Sequence, residues 1–150
     1  MIERVEITQE IKAPTPQVFS WFFKSENFIK SPIVFKADWR KKSSKWIKGS
    51  QRDIIMIAGW YFEEITDVKK DIYIRYKVNR SFPTVRQDFT EIAFKKIDEK
   101  TTKVTWIIEI EVPTPVGKKL ANRLAGKMAK TLYKTILTAG KKELEKSMEE

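Results

Sequence analysis

Ile11-Lys12-Ala13-Pro14-Thr15-Pro16-Gln17-Val18-Phe19 marks the point at which this chain changes from one kind of periodicity to another. Before it the residues alternate, with Val5, Ile7, Gln9 and Ile11 on one side and Glu6, Thr8 and Glu10 on the other, the pattern of a half-buried strand. Ala13-Pro14 stops that strand. Thr15 can then cap a helix with Pro16 in its first turn, where a missing N–H costs nothing, and Val18, Phe19, Phe22 and Phe23 supply its apolar face. Ser25 begins a second short helical piece through Phe28 and Ile29, which Pro32 ends.

Outward from this turn, strand patterns follow near Val34–Arg40, Arg52–Ala58, Trp60–Val68, Asp71–Val78, Arg86–Ile97 and Thr102–Val112. The connections between them are short and carry no helix, which implies antiparallel pairing rather than βαβ units. The last strand is the most legible: Val104, Trp106, Ile108, Ile110 and Val112 point one way, and Lys103, Thr105, Glu109 and Glu111 the other. If the preceding hairpin keeps register, Phe94, Ile92, Thr90 and Asp88 share the buried face, and the same parity puts Ile72, Ile74 and Tyr76 along the next strand. Strands Arg52–Ala58 and Trp60–Val68 are apolar on both sides, so periodicity does not assign their inward faces.

From Thr114-Pro115 an amphipathic pattern runs to the end of the chain. At 100° per residue Leu120, Leu124, Ala125, Met128, Leu132, Ile136 and Ala139 fall on one broad side, opposite a ridge of Arg123, Lys127, Lys130, Lys134 and Lys141. A helix of roughly 30 residues spans about 45 Å, enough to cross a whole sheet, and Gly140 is placed to loosen or bend its last third. Leu124, Met128 and Leu132 are expected against Trp106.

The 150 residues suit one domain, with no linker composition to divide them. The chain has no cysteine and no histidine, which removes thiolate nucleophiles, disulfides, imidazole bases and almost every zinc or copper site. Neither a signal peptide nor eighteen consecutive apolar residues appear, so a soluble, cytoplasmic protein is expected. Thirty Lys+Arg against twenty Asp+Glu give a formal charge of +10, which suits anionic partners as well as an ordinary Lys-rich surface. Lysine predominates over the arginine preferred for bidentate phosphate or base recognition.

The Ile-x-Ala-Pro-x-x-x-Val-Phe run at Ile11 to Phe19, Glu64-Ile65 in a central strand followed by Tyr76, Phe94 ahead of Thr-x-Val-x-Trp at Thr102 to Trp106, and the long terminal helix together resemble the START-like, or SRPBCC, superfamily. Within it they are most similar to the polyketide cyclase/dehydrase and lipid-transport group. The pattern departs at Thr101, where a glycine often precedes the threonine. The resemblance implies an α+β helix-grip fold over residues 1–150, a curved antiparallel sheet of about seven strands wrapped around the C-terminal helix. It also implies a deep apolar cavity for lipids, sterols, quinones or polyketide-like molecules. The superfamily holds carriers, cyclases, receptors, chaperone activators and ribosome-associated proteins, so the fold does not decide among them.

On this reading Tyr76, Asp88, Thr90, Ile92, Phe94, Trp106, Ile108, Leu124, Met128 and Leu132 are the candidate ligand-binding residues, with Asp88 at the mouth where water reaches it. No catalytic or metal-ligating residue is assigned and no cofactor is implied. Glu63 and Glu64 are neighbours in a strand and cannot share one substrate, although one of them can point inward. Tyr61, Tyr73, Tyr76 and Tyr133 can act as acids only if burial tunes a carboxylate to serve as base. The expected function is binding a hydrophobic small molecule for transport, storage or presentation. The alternatives are a chaperone- or ribosome-associated module acting through its basic surface, and a cyclase- or dehydratase-type enzyme. Weak contact with RNA or a membrane is open to the helix ridge, and to Arg40, Lys41, Lys42, Lys45 and Lys48 around Trp39 and Trp46.

Overall fold

A computed structural model describes residues 2–40 and 48–149, so Lys41, Lys42, Lys45 and Trp46 lie outside the described residues. Seven strands form one sheet in the order β1-β7-β6-β5-β4-β3-β2, every pair antiparallel. They are β1 (Glu3–Ile11), β2 (Val34–Trp39), β3 (Gln51–Met56), β4 (Gly59–Lys69), β5 (Tyr73–Phe82), β6 (Arg86–Asp98) and β7 (Thr101–Glu111). Helix α1 (Thr15–Phe23) and a 3₁₀ turn (Ser25–Lys30) follow β1, and α2 (Lys118–Met148) closes the chain. This is the helix-grip arrangement.

The first strand pairs with the last, and a buried hydroxyl chain secures the turn between β1 and α1. The Thr102 hydroxyl donates to the Ala13 carbonyl at 2.9 Å and shares a 2.9 Å hydrogen bond with the Thr15 hydroxyl. Buried polar groups need such partners, and here they join the Ala-Pro turn to the start of β7. The β6–β7 hairpin keeps the expected register, Phe94 opposite Val104 and Ile92 opposite Trp106, despite Thr101. From α1, Phe19 meets Phe94 edge-on at 5.3 Å and Phe22 meets Trp106 at 6.0 Å.

Two strand expectations are corrected. Strand β5 begins at Tyr73, leaving Ile72 exposed in the turn after Asp71, which takes a left-handed φ of 65°. In β6 a bulge between Arg86 and Phe89 shifts the parity, so Gln87 is buried beside Thr90 and Asp88 faces out. A bulge puts two residues opposite one and flips every side chain beyond it.

Helix α2 is also turned from its expected setting. Its buried residues are Asn122, Gly126, Ala129, Tyr133, Ile136, Leu137, Gly140 and Leu144, a stripe rotated by roughly one residue, about 100°, from the most hydrophobic side. Leu120, Leu124 and Met128 are 62%, 56% and 59% exposed, whereas Leu132 is half-buried against the core. The reason is close approach. A Cβ at Gly140 would come within 2.8 Å of the Trp21 ring, and one at Gly126 within 3.4 Å of Glu3. Small residues let the helix axis come down onto β1 and α1, and hydrophobicity does not register that.

The helix starts later than Thr114-Pro115 suggests, with Gly117 at its N-cap in a left-handed conformation (φ 66°). Asn122 ties this start to the sheet: its Oδ1 accepts from the Val112 amide at 2.6 Å and its amide donates to the Lys118 carbonyl at 2.7 Å. Of the ridge, Arg123, Lys127, Lys130 and Lys134 are exposed. Lys141 instead folds back to donate to Glu145 and the Glu10 carbonyl.

Gly140 is thus a contact position rather than a hinge. Gly140→Ala gains about 1 kcal/mol of helix propensity but forces the methyl into Trp21, at a cost of about 1–3 kcal/mol. The expected outcome is net destabilisation in urea unfolding, and it should vanish when Trp21→Phe opens the space.

Candidate functional site

The concave face of the sheet is lined from β3 to β7 by alternate residues whose inward direction follows from pairing register. Arg52, Ile54 and Met56 enter from β3, Glu63 and Ile65 from β4, and Ile74, Tyr76 and Val78 from β5. Gln87, Thr90, Ile92 and Phe94 enter from β6, and Val104, Trp106, Ile108 and Ile110 from β7. Of the expected ligand-binding residues, Tyr76, Thr90, Ile92, Phe94, Trp106 and Ile108 therefore share this interior. Asp88 does not; it borders a small outer cleft of about 60 Å³ with Arg86 and Glu111. Leu124 and Met128 stand outside the core, and Trp106 is covered not by them but by Tyr133, at 4.6 Å between ring centroids, with Phe22 and Phe28 each at 6.0 Å.

A connected polar group lies within this apolar shell. Trp106 Nε1 donates to the Tyr76 hydroxyl at 3.2 Å. Gln87 Nε2 donates to Thr90 Oγ1 at 2.8 Å and to the Tyr133 hydroxyl at 3.4 Å. Arg52 Nε donates to Glu63 Oε1 at 2.8 Å, with the two side chains only 1% and 2% exposed. The Arg52 guanidinium also lies 4.7 Å from the centre of the Tyr76 ring, in range of a cation–π contact. Arg52 Nη2, buried, has no hydrogen-bond partner among the described residues.

Burial sets the electrostatics. It pushes the Glu63 carboxyl above its ordinary value, and the Arg52 guanidinium holds part of that rise back. Burial likewise raises the Tyr76 hydroxyl well above the ordinary phenol range, helped by Tyr133 and Glu63 and opposed by Arg52. Tyr133 rises for the same first reason, with Glu63 adding to it. Both phenols are neutral donors at any ordinary pH. The cluster can therefore offer a cationic N–H and neutral O–H groups to an oxygen in a medium of low dielectric, where each such bond is stronger than in water.

Arg52 and Gln87 escaped the sequence reading. Gln87 depends on the β6 bulge. Arg52 was within reach, because a two-residue turn at Ile57-Ala58 sets Met56 opposite Gly59 and hence Arg52 opposite Glu63. That cross-strand pair of opposite charges also settles which of the two adjacent glutamates faces in. Glu64 faces out and accepts from Gln51 and Asn79.

Outside the interior, a groove of about 1070 Å³ runs between the flank of α2 and the end of the 3₁₀ turn, bordered by Lys30, Pro32, Lys134 and Lys142.

Residues 3–145 match the family model described as polyketide cyclase / dehydrase and lipid transport. The chain belongs to this family. Among solved structures, it resembles the Zhui aromatase/cyclase of Streptomyces sp. R1128 with a TM-score of 0.83 at 14% identity, over 99% of this chain and 96% of that one. A protein from Thermus thermophilus gives a TM-score of 0.80 at 15% identity, covering 95% of this chain and 97% of the other. A START superfamily protein from Mycobacterium smegmatis gives 0.74 at 15%, with the same coverage of each chain. No curated protein matches the chain. At these identities the likeness is one of fold, and with the family it makes this a START-like chain.

The charge pair lends itself to a direct measurement. Arg52→Met strands a buried carboxylate and is expected to cost about 3–5 kcal/mol at neutral pH, whereas Arg52→Met with Glu63→Gln should restore most of it. In the single variant the folded-state pKa of Glu63 rises further above its unfolded value, so stability is retained below the unfolded value and lost as pH increases. The deficit against wild type should accordingly be smaller near pH 4.5 than near pH 7.5 in denaturant titrations.

Proposed function

We propose that this chain, acting as one START-like domain of the cytoplasm, binds a hydrophobic small molecule that carries an oxygen acceptor, for transport, storage or presentation. The body of the ligand lies between the concave sheet and α2, along Ile92, Phe94, Trp106 and Ile108. Its oxygen is held by Arg52, with Tyr76, Thr90, Gln87 and Tyr133 close by. Arg52 Nη2, buried and without a hydrogen-bond partner among the described residues, carries this reading. A buried donor left unsatisfied costs about 1–3 kcal/mol, and a ligand oxygen relieves that cost. The family description, which names lipid transport, supports it as well.

Half-exposed Tyr61, Val85, Ala125 and Leu132 pack against the margin of the core and are the side chains an entering ligand displaces first. Leu124 and Met128 stand beyond that margin on the outer side of α2. Fatty acids, quinones and polyketide-like phenols have the required shape, an apolar body ending in an oxygen.

A second reading is favoured by one observation, the raised Glu63 carboxyl beside Arg52 and two buried phenols. A carboxylate tuned upward by burial is a competent base, and a guanidinium stabilises an enolate oxygen, which is the equipment of a cyclase- or dehydratase-type reaction. Chromatography with mass analysis of a poly-β-ketone-like ligand after incubation separates the readings, because a carrier returns it unchanged, a cyclase returns a ring isomer of equal mass with a new retention time, and a dehydratase returns it short of water.

An environment-sensitive dye should bind wild-type protein at one saturable site, displaced both by a long-chain fatty acid and by the matching hydrocarbon. In the Arg52→Met/Glu63→Gln variant the fatty acid should lose about tenfold in affinity, the worth of one charge-assisted hydrogen bond, while the hydrocarbon is unaffected. Absence of saturable dye binding, or equal losses for both ligands, would overturn the proposal.

A further inference from the structure

The outer face of α2 combines two properties that neither the core nor an ordinary solvated helix needs. Leu120, Leu124 and Met128 recur every four residues along one line of the helix, each more than half exposed. The line continues through Thr131, Thr135 and Thr138, whose hydroxyls donate back to the carbonyls of Lys127, Thr131 and Lys134 at 3.2, 2.9 and 2.9 Å. A threonine bonded in this way has its hydroxyl satisfied by the helix and leaves its methyl for the surroundings. The face is therefore less polar than its composition. Beside the line stand Arg123, Lys127, Lys130 and Lys134, and towards the C-terminus Lys30, Lys142 and Lys146 border the groove against the 3₁₀ turn, where Glu143 is the one acidic lining residue.

We propose that this face of α2 docks on an anionic lipid bilayer. The apolar line enters the boundary between headgroups and acyl chains, and the flanking lysines extend their apolar stems along it while their ammonium groups meet phosphates. Each basic side chain near an anionic surface strengthens the attraction about fivefold. Among the described residues no helix is long and apolar enough to cross a membrane, so the contact is with a surface.

Two other occupants fit less well. A second copy of the chain would bring Arg123, Lys127, Lys130 and Lys134 against their own counterparts, a like-charge juxtaposition that opposes association. Single-stranded RNA is held by aromatic stacking beside basic groups, but the only aromatic residue of α2, Tyr133, is buried on Trp106.

The test is co-sedimentation of the full chain with phosphatidylcholine vesicles, prepared with and without phosphatidylglycerol. Binding is expected only where phosphatidylglycerol is present. Lys130→Glu/Lys134→Glu should weaken it about a hundredfold, and Leu124→Gln/Met128→Gln about tenfold. All four side chains are exposed, so circular dichroism should report an unchanged fold for both variants. Equal binding to neutral vesicles overturns the proposal, as does phosphatidylglycerol binding that ignores the Leu124→Gln/Met128→Gln change. It is equally overturned if RNA competes the vesicles away, or if the wild type forms a dimer that the same apolar variant dissolves. The docking face is independent of the interior, so the Arg52→Met/Glu63→Gln variant should bind vesicles as the wild type does whether or not it binds a ligand.

Discussion

The setting of α2 rests on a close contact that only glycine permits, the Trp21 ring lying where a Cβ of residue 140 would otherwise project. With Gly126 over Glu3 and Ala129 buried between them, it lets the helix lie low across β1 and α1 and determines which line of side chains faces in. That rotation brings Tyr133 down onto Trp106 and into reach of Gln87, completing the polar cluster from the helix side. It also turns Leu120, Leu124 and Met128 outward. The interior and the outer face are two consequences of one packing choice.

Much of the architecture could be read before the structure, because strand alternation and proline placement act locally. Val104 to Ile110 display their inward face in plain period two, and the Ile97 hairpin carries that parity to Ile92 and Phe94. Parity then failed at Asp88, since a bulge is set by backbone geometry and leaves no hydrophobic signature. The helix face failed for a different reason. A hydrophobic pattern weighs Leu and Met above Gly and Ala, whereas close helix packing rewards the small residues. Arg52 was missed because a charged residue in an apolar strand reads as an edge or surface position until its cross-strand partner is known.

The price of burying Arg52 and Glu63 is considerable, for each loses its hydration and the interior returns it only in part. Their 2.8 Å bond and the Tyr76, Phe28 and Trp39 rings around the guanidinium offset some of that cost. Had stability alone been at stake, a pair of aliphatic side chains would have served as well. An apolar pair, however, cannot hold a donor in a fixed direction. Arg52 is held in that way: Nε is bound to Glu63, the planar guanidinium lies against the aromatic rings, and Nη2 has no hydrogen-bond partner among the described residues.

A fixed donor matters more in this interior than at a surface. The hydroxyls of Tyr76 and Tyr133 remain neutral, so they donate to an oxygen without competing with Arg52 for its charge. Thr90 and Gln87 are already bonded to each other, and Gln87 to Tyr133, which orients these groups before anything binds. A ligand oxygen meeting pre-oriented donors gives up less ordering entropy than one that must assemble them. The bulge that moves Gln87 inward and the close packing that lowers Tyr133 act from opposite sides of the interior. Both deliver side chains to the same interior region around Trp106 and Tyr76, so that Gln87, Thr90 and Tyr133 form one hydrogen-bonded group beside the Tyr76–Trp106 bond.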